Sequence, residues 1–493
     1  SGLPWGSDAP AAGQWPFERP AYESLAAATQ GEASRWNVPG IAVAVLHHAS
    51  VESTSAGLTS LTAKRAVTDD TIFQIGSISK VFTATLVMQM VDDGQLDLDT
   101  PVMGYVPELL LADIAAREAI TLRHLLSHGA GFEGDRFIAY GRGDDALAKS
   151  IAAFDTLQQW TAPGELFSYN NAGFSLIGRV IENVTGKTFE TAITERLLTP
   201  LGLRTAVFFA EEAIGLDHAV GHRIQRREAG HTVAEGYTLP RHVNAAGGII
   251  TSTRELLRFA RLHIGDGEID GQRLLSAQSA RAMRVPRLDA GPSRGSYGIG
   301  WAIRDTEGFR IVSHGGATRG FRAQLTVVPE RSFAIAILTN GEPGSRAIQE
   351  IESWALREYL GYSAPTPETV KLGKKSLDAF AGTYHRHDGR FTIERANRQL
   401  RVTYVSIDEE SGEEEEPEVF LLDPIGPRHF RFTEGRNYGA IADFIDLEQA
   451  EGTVRHLFRS GGRLAERDEA TALAVDPPKA KGSKRDKNAK ARS

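Results

Sequence analysis

The sequence predicts a mixed α/β protein: an antiparallel sheet covered by helices, a mostly helical subdomain inserted between its strands, then a small all-β barrel. Three observations carry that prediction. Apolar strand runs occur early, at 41–46, and return late, at 309–313, 321–328 and 333–339. From about 96 to 240, helical periodicity and loops dominate. Beyond about 379, short strands recur at close spacing to about 470.

At 493 residues the chain exceeds the roughly 250–300 residues at which single cores stop growing. Its 41% hydrophobic and 24% charged content is that of an ordinary soluble globular protein. The net charge of −8 conceals a tail, residues 479–493, that carries +6 and leaves −14 elsewhere, which argues against nucleic acid as the partner of the folded part. The absence of cysteine excludes disulfides, thiolate metal sites and cysteine nucleophiles. No apolar run approaches the roughly 20 residues of a membrane span. The first twenty residues hold Pro4, Pro10, Pro16 and Pro20, with neither a basic start nor an apolar core. The sequence as written therefore shows no signal peptide, and the compartment stays open.

In chain order, residues 1–20 read as an extended segment and 21–36 as a helix broken by Val38-Pro39-Gly40. Residues 41–46 form a Val/Ile/Ala run, the pattern of a strand buried on both faces. Phe82, Leu86 and Met90, flanked by Val87 and Val91, define a helix from Ser79 that Gly94 ends. Further helices are read at 121–128 and at 175–184, the second closed by Gly186. A turn at 329–332 separates the last two late strands, and a helix at 348–359 can lie across that sheet. The body, 21–362, is followed by a linker at 363–378 with Pro365 and Pro367. The barrel, 379–470, is read with strands at 382–384, 391–393, 400–405, 420–422, 430–432, 441–444 and 454–458. The eight acids within 408–418 read as a solvated hairpin loop, and 471–493 as a basic disordered tail.

Just ahead of the Ser79 helix stands Gly76-Ser77-Ile78-Ser79-Lys80. Ser77-x-x-Lys80 places a hydroxyl and an amine on one face of the first turn, at the positive end of the helix dipole. A serine hydroxyl attacks only once a neighbouring base takes its proton. A lysine serves as that base when burial or nearby positive charge lowers its pKa, whereas arginine keeps its proton. The chain holds 43 arginines against 12 lysines, so a lysine here is informative. Chance alone gives a Ser-x-x-Lys in about every second such chain, so the motif needs partners.

Other apparent motifs lack their setting. Gly129-Ala130-Gly131-Phe132-Glu133-Gly134 matches the dinucleotide pattern but follows a helix rather than a strand. Gly291-Pro292-Ser293-Arg294-Gly295 matches a nucleophile elbow, but its proline and glycines suit a loop. His218 and His222 lack the glutamate of a zinc protease. Two other stretches do supply partners. Tyr169-Asn170-Asn171 offers a phenol, Tyr169, as a second proton carrier and an amide, Asn171, to orient a substrate carbonyl. Ser313-His314-Gly315-Gly316-Ala317, read at a strand start, has two glycines that let backbone approach a ligand. The Ala317 N–H, with that of Ser77, can form an oxyanion hole.

With Ser77-x-x-Lys80, Tyr169-x-Asn171 and His314-Gly315-Gly316 in this order, the later two 92 and 237 residues beyond Ser77, the chain resembles the serine β-lactamase and penicillin-binding-protein superfamily. The resemblance is to its class C-like branch, which includes esterases and D-amino-acid peptidases, and covers about residues 15–362. It extends to Val38-Pro39-Gly40-Ile41, Leu125-Leu126-Ser127-His128, Pro200-Leu201-Gly202-Leu203, Ala246-Gly247-Gly248-Ile249, Tyr297-Gly298-Ile299-Gly300-Trp301 and Leu338-Thr339-Asn340. It implies an α/β sandwich and a helical subdomain with the active site between them. By position, Ser77 is the acylated nucleophile, Lys80 its base partner and Tyr169 the proton relay. Asn171 holds the substrate amide, and the Ser77 and Ala317 N–H groups bind the oxyanion.

The chain departs from the family pattern twice. Asn170 replaces the commoner serine, and His314 replaces the lysine of the β-lactamase Lys-Thr-Gly. The second change removes a fixed charge that would grip a substrate carboxylate. It disfavours efficient β-lactam hydrolysis and favours esters or amides lacking that carboxylate, or gripped elsewhere by Arg319 or Arg322. The segment from Phe380-Ala381-Gly382-Thr383-Tyr384 resembles the lipocalin-like barrels appended to some members, placed to cover the cleft and limit substrate size. The expectation is a serine hydrolase acting on ester or peptide-like amide bonds of a small-molecule or peptide substrate, through an acyl-enzyme and without metal or cofactor. The same residues fit acyl transfer to an amine, as in transpeptidation or peptide cyclisation. A catalytically silent binder is the third reading, against which the intact Ser77, Lys80 and Tyr169 set argues. Oligomeric state is not legible.

Overall fold

The computed structural model describes residues 20–225, 230–408, 411–434, 437–449 and 452–468. The N-terminal segment before Pro20 and the basic tail lie outside the described residues. The early apolar run becomes β1 (Gly40–His47). Its Ala42, Ala44 and Leu46 enter one core, and its Ile41, Val43 and Val45 enter another. A continuous apolar strand belongs in this position, covered on both faces. With β2 (Ser50–Gly57), β3 (Leu288–Gly291), β4 (Gly295–Tyr297), β5 (Ala302–Asp305), β6 (Arg310–Thr318), β7 (Phe321–Val328) and β8 (Phe333–Thr339), β1 builds an antiparallel sheet. The strand order is β2-β1-β8-β7-β6-β5-β4-β3, so the early strand closes against the last one.

Helix α1 (Leu25–Arg35) covers the outer face of the sheet. It starts later than the periodicity suggests because the Ser24 hydroxyl accepts from the Ala27 N–H and caps it. On the inner face lies α2 (Ser79–Asp92), buried at every position from Ser79 to Met90, as a helix enclosed on all sides must be. Beside it are α3 (Asn171–Thr185) and α4 (Thr253–Ile264), whose Phe259 stacks on Phe82 at 3.7 Å. Helix α5 (Gly344–Leu360) returns to the outer face, where Ile351 and Trp354 pack with Ile335 and Ile337.

Three local expectations change. The helix read at 121–128 is only Leu122–Leu126, because the chain turns at His128 through a left-handed conformation (φ 58°). Helix α3 begins at Asn171 rather than Ser175, because Asn170 caps it. The strand expected to end near Ser313 continues to Thr318, so His314–Ala317 lie within β6 rather than at its start. Pairing of Gly315 with Gln324 and Gly316 with Ala323 on β7 holds them there.

The C-terminal barrel is closed by eight antiparallel strands: β9 (Gly382–Arg386), β10 (Gly389–Ala396), β11 (Gln399–Ser406), β12 (Glu418–Pro424), β13 (His429–Phe432), β14 (Ile441–Glu448), β15 (Val454–Ser460) and β16 (Arg463–Arg467). The sequence signals seven of these. The eighth, Arg-Leu-Ala-Glu-Arg, has only Leu464 and Ala465 as apolar residues, of which Ala465 enters the barrel core, too short an apolar signal to register. Part of the expected linker belongs to the barrel, for a short helix at Lys374–Asp378 buries Leu377 in its core. That core is filled by Phe391, Phe420, Phe430, Phe432, Phe444 and Phe458, as in small barrels whose side chains occupy the interior. Among the described residues no helix is long and apolar enough to cross a membrane.

Candidate active site

Ser77 lies in a 3₁₀ turn (Gly76–Ile78) that leads into α2, and Lys80 is the second residue of that helix. Because α2 is enclosed, Lys80 is fully buried. Its Nζ has three partners: Ser77 Oγ at 3.1 Å, Asn171 Oδ1 at 2.6 Å and the Ala246 carbonyl at 2.8 Å. Burial, and then the charges of Arg463 and Arg294, hold the amine well below the lysine range against the opposing pull of Asp135. A neutral amine has two hydrogens and one lone pair. The amide and carbonyl oxygens can only accept, so they take both hydrogens, and the lone pair faces the Ser77 hydroxyl.

The buried Tyr169 ring has an amine and two guanidinium groups around it. Lys80 Nζ lies 4.9 Å from its centroid, the Arg463 guanidinium 4.9 Å and the Arg294 guanidinium 5.4 Å. Burial pushes the phenol up to about 12, although its hydrogen bond with Ser77 and the two arginines pull it down. His128 backs the ring at 4.3 Å, and its Nδ1 accepts the Asn170 N–H at 3.0 Å. Asn170 itself caps α3 through Gly173 N–H (2.6 Å) and donates its amide to the Phe132 carbonyl (2.8 Å). An asparagine side chain makes both bonds at once, accepting through Oδ1 and donating through Nδ2. On the first turn of α3, Asn171 turns Oδ1 to Lys80 and donates from Nδ2 to Asp135 Oδ1 at 2.6 Å.

Strand β5 pairs with β6 only as far as Ser313, so the β6 edge from His314 onward faces the cleft. Gly316 backs onto the Ser77 turn so closely that a Cβ there would lie 1.9 Å from the Ile75 carbonyl and 3.3 Å from Ser77 N. A Cβ on Gly76, at φ 52°, would lie 2.7 Å from Ala317 N. These glycines bring the Ser77 and Ala317 amides into one region, the arrangement an oxyanion hole needs. His314 is buried with Nδ1 2.7 Å from the Gly315 carbonyl, which can only accept, so this nitrogen carries the proton. Burial and then Lys80 depress the imidazole to about 3, leaving it neutral. The charge lost with the family lysine is therefore not restored at this position.

Arg319 and Arg322 do not supply it over Tyr169. Arg319 is exposed beside the Glu235 carbonyl, and Arg322 folds back on the Thr318 and Phe321 carbonyls. The arginines that do reach the site come from elsewhere. Arg294 sits in the Gly291–Gly295 turn between β3 and β4, a loop as its proline and glycines suggest, and has no carboxylate partner among the described residues. Arg463 begins β16 and grips Asp135 with both guanidinium arms. The preceding Gly461-Gly462 turn places the Gly462 carbonyl on the Tyr169 N–H at 2.8 Å. From the β9–β10 turn, His387 reaches the Glu133 carboxylate (3.0 Å) and the Asp135 carbonyl (2.8 Å). A cavity of about 320 Å³ lies alongside, lined in part by Arg294, Tyr297, Ser313, His314 and Gly462. Sequence reasoning misses His128, Asp135, Arg294 and Arg463 as site residues. Their meeting depends on contacts such as Asp135–Arg463, 328 residues apart, that no local pattern encodes.

A family model described as Beta-lactamase matches residues 26–357. Penicillin-binding protein 4 of Amycolatopsis lactamdurans is 35% identical over 360 residues, covering 72% of this chain and 94% of that one. A D-aminopeptidase of Cereibacter sphaeroides is 26% identical over 337 residues, which span 66% of this chain but only 60% of the relative's length. Among solved structures, SurE is 27% identical with a TM-score of 0.70, covering 90% of this chain and 98% of that one; SurE with D-Leu gives 0.68 at the same identity and coverage. That coverage extends the likeness into the barrel. With so long a match laid over a sheet and helices that gather Ser77, Lys80 and Tyr169 in one cleft, the chain belongs to the beta-lactamase family.

Proposed function

We propose that this protein is a serine hydrolase that opens ester or peptide-like amide bonds through an acyl-enzyme on Ser77. The observation that supports this most is the set of acceptors around Lys80, which leaves its lone pair only the Ser77 hydroxyl. Lys80 takes the Ser77 proton as Oγ bonds to the substrate carbonyl carbon. The Ser77 and Ala317 amides hold the resulting oxyanion. Tyr169, kept as a phenol, donates its proton to the leaving nitrogen or oxygen as that bond breaks, and regains one from the Lys80 ammonium. Water then attacks the ester carbon, its proton returning through the same groups, and the acid leaves. The second Nδ2 hydrogen of Asn171 remains for a substrate carbonyl.

The likeness to a D-aminopeptidase and to SurE, solved with D-Leu, supports substrates with a residue of D configuration at the scissile bond. A second reading is acyl transfer to an amine. It is favoured by the barrel turn lying against Tyr169, since shielding an acyl-enzyme from water gives a bound amine time to attack.

Intact-mass spectrometry after exposure to a fluorophosphonate tests the nucleophile. One adduct is expected, lost in Ser77→Ala; an unlabelled wild type would favour the silent binder. Rates on D- and L-amino-acid p-nitroanilides, with and without an added amine, then separate stereochemistry and acceptor.

A further inference from the structure

Asp135 takes no part in the chemistry above, yet it joins the barrel to the base. Its Oδ1 accepts from Asn171 Nδ2 at 2.6 Å, and Asn171 Oδ1 accepts from Lys80 Nζ at 2.6 Å. Arg463 holds the same carboxylate from the barrel side, and His387 donates to the Asp135 carbonyl at 2.8 Å. A primary amide can sit either way up. With its oxygen towards Lys80, Asn171 absorbs an amine hydrogen; flipped, it would point N–H at Lys80 and occupy the lone pair that Ser77 needs. An ionised carboxylate can only accept, so at position 135 it admits one orientation. Buried without a counter-charge, that carboxylate would take up a proton and lose this power, and Arg463 is the counter-charge.

We propose that Asp135 is a positioning residue: held ionised by Arg463, it fixes the Asn171 amide and thereby turns the Lys80 lone pair onto Ser77, which makes the last hairpin of the barrel part of the catalytic apparatus. The proposal rests on Lys80 acting as the base. It has a signature that a merely structural contact would lack. Lys80 is faced by Tyr169, His128, His314, Arg294, Arg463 and Asp135. Asp135 is faced by Arg463, Arg386 and His387, with Glu133 and Asp388 close by. Asp135 favours the Lys80 ammonium and Arg463 disfavours it. The remaining groups are common to all the variants below.

The experiment measures kcat/KM against pH on a p-nitrophenyl ester for the wild type, Asp135→Asn, Arg463→Gln and the double variant. Active sites are counted by fluorophosphonate labelling. The acid limb, where Lys80 loses its proton, is expected to move about one pH unit down in Asp135→Asn, which leaves Arg463 uncompensated, and to stay near the wild-type position in Arg463→Gln and in the double variant, where the opposing charges of residues 135 and 463 are lost together. In Asp135→Asn, whose amide gives its oxygen to Arg463 and its N–H₂ to Asn171, kcat is expected to fall about 100-fold. A labelled Asp135→Asn whose limb stays put, or an Arg463→Gln whose limb moves down with it, overturns the assignment of Asp135 alone. A wild type that is not labelled at Ser77 overturns the reading beneath it.

Discussion

Lys80 and Tyr169 share one dry pocket, and burial acts on them in opposite senses, lowering the amine and raising the phenol. Two groups driven apart in this way suit the base and the acid of the proposed mechanism. Lys80→Arg places there a group of similar reach that cannot deprotonate, so acylation of Ser77 is expected to slow about 1,000-fold, measured as p-nitrophenol release. An arginine variant as fast as the wild type would remove Lys80 from the role of base. Tyr169→Phe divides substrates differently. An anilide needs a proton on its departing nitrogen and is expected to lose about 100-fold, while a p-nitrophenyl ester, whose leaving group departs as an anion, loses about tenfold or less. These two residues were legible in the sequence because spacing within a helix and within a tripeptide is local information. Arg294 and Arg463 were not, since a lone arginine in a turn looks like any other solvated one until the sheet and barrel bring it over an aromatic ring.

Helix α3 owes its start, and with it the location of Asn171, to Asn170. Asn170→Ala is expected to cost about 1 kcal/mol and Asn170→Ser much less, read from denaturant unfolding. Equal destabilisation by the two would detach the cap from the stability of the helix. The same dependence explains the misplaced start of α3, because the helix begins where its first N–H groups find an acceptor, a point that apolar periodicity does not mark. Strands β1, β7 and β8 were readable as unbroken or alternating apolar runs. Strand β6 was readable only in its first half, because Gly315 and Gly316 carry no side chains to mark a face, and only pairing with β7 reveals that the strand continues.

The barrel meets the sheet-and-helix body through polar contacts. Arg455 donates to the Trp160 carbonyl at 2.6 Å and Arg459 to the Asp289 carbonyl at 2.9 Å, while His387 spans Glu133 and Asp135. Burial opposes charge on His387, but the Glu133 carboxylate 3.0 Å away and the nearby Asp388 and Asp135 prevail and raise its pKa. The stabilisation from a raised histidine is complete below the roughly 6.5 of an unfolded histidine and is lost as pH climbs through the higher native value. The melting-temperature gap between wild type and His387→Gln is therefore expected to be wider at pH 6 than at pH 9. A gap independent of pH would leave His387 a neutral spacer. None of this docking was legible, for the barrel announces itself by strand spacing but its partners are backbone carbonyls, which every residue possesses, and two loop carboxylates that no local pattern marks.

The Tyr169 N–H is satisfied by Gly462, a residue near the end of the described chain. During synthesis the sheet, α2 and α3 can assemble while the ribosome is still adding the barrel, but the tyrosine backbone then lacks its acceptor and Asp135 its arginine. Catalytic competence is thus expected to arrive only with the last hairpin of the barrel, so that the nascent enzyme stays silent until that hairpin has been made and a chain cut short before Gly461 remains folded in its body but idle.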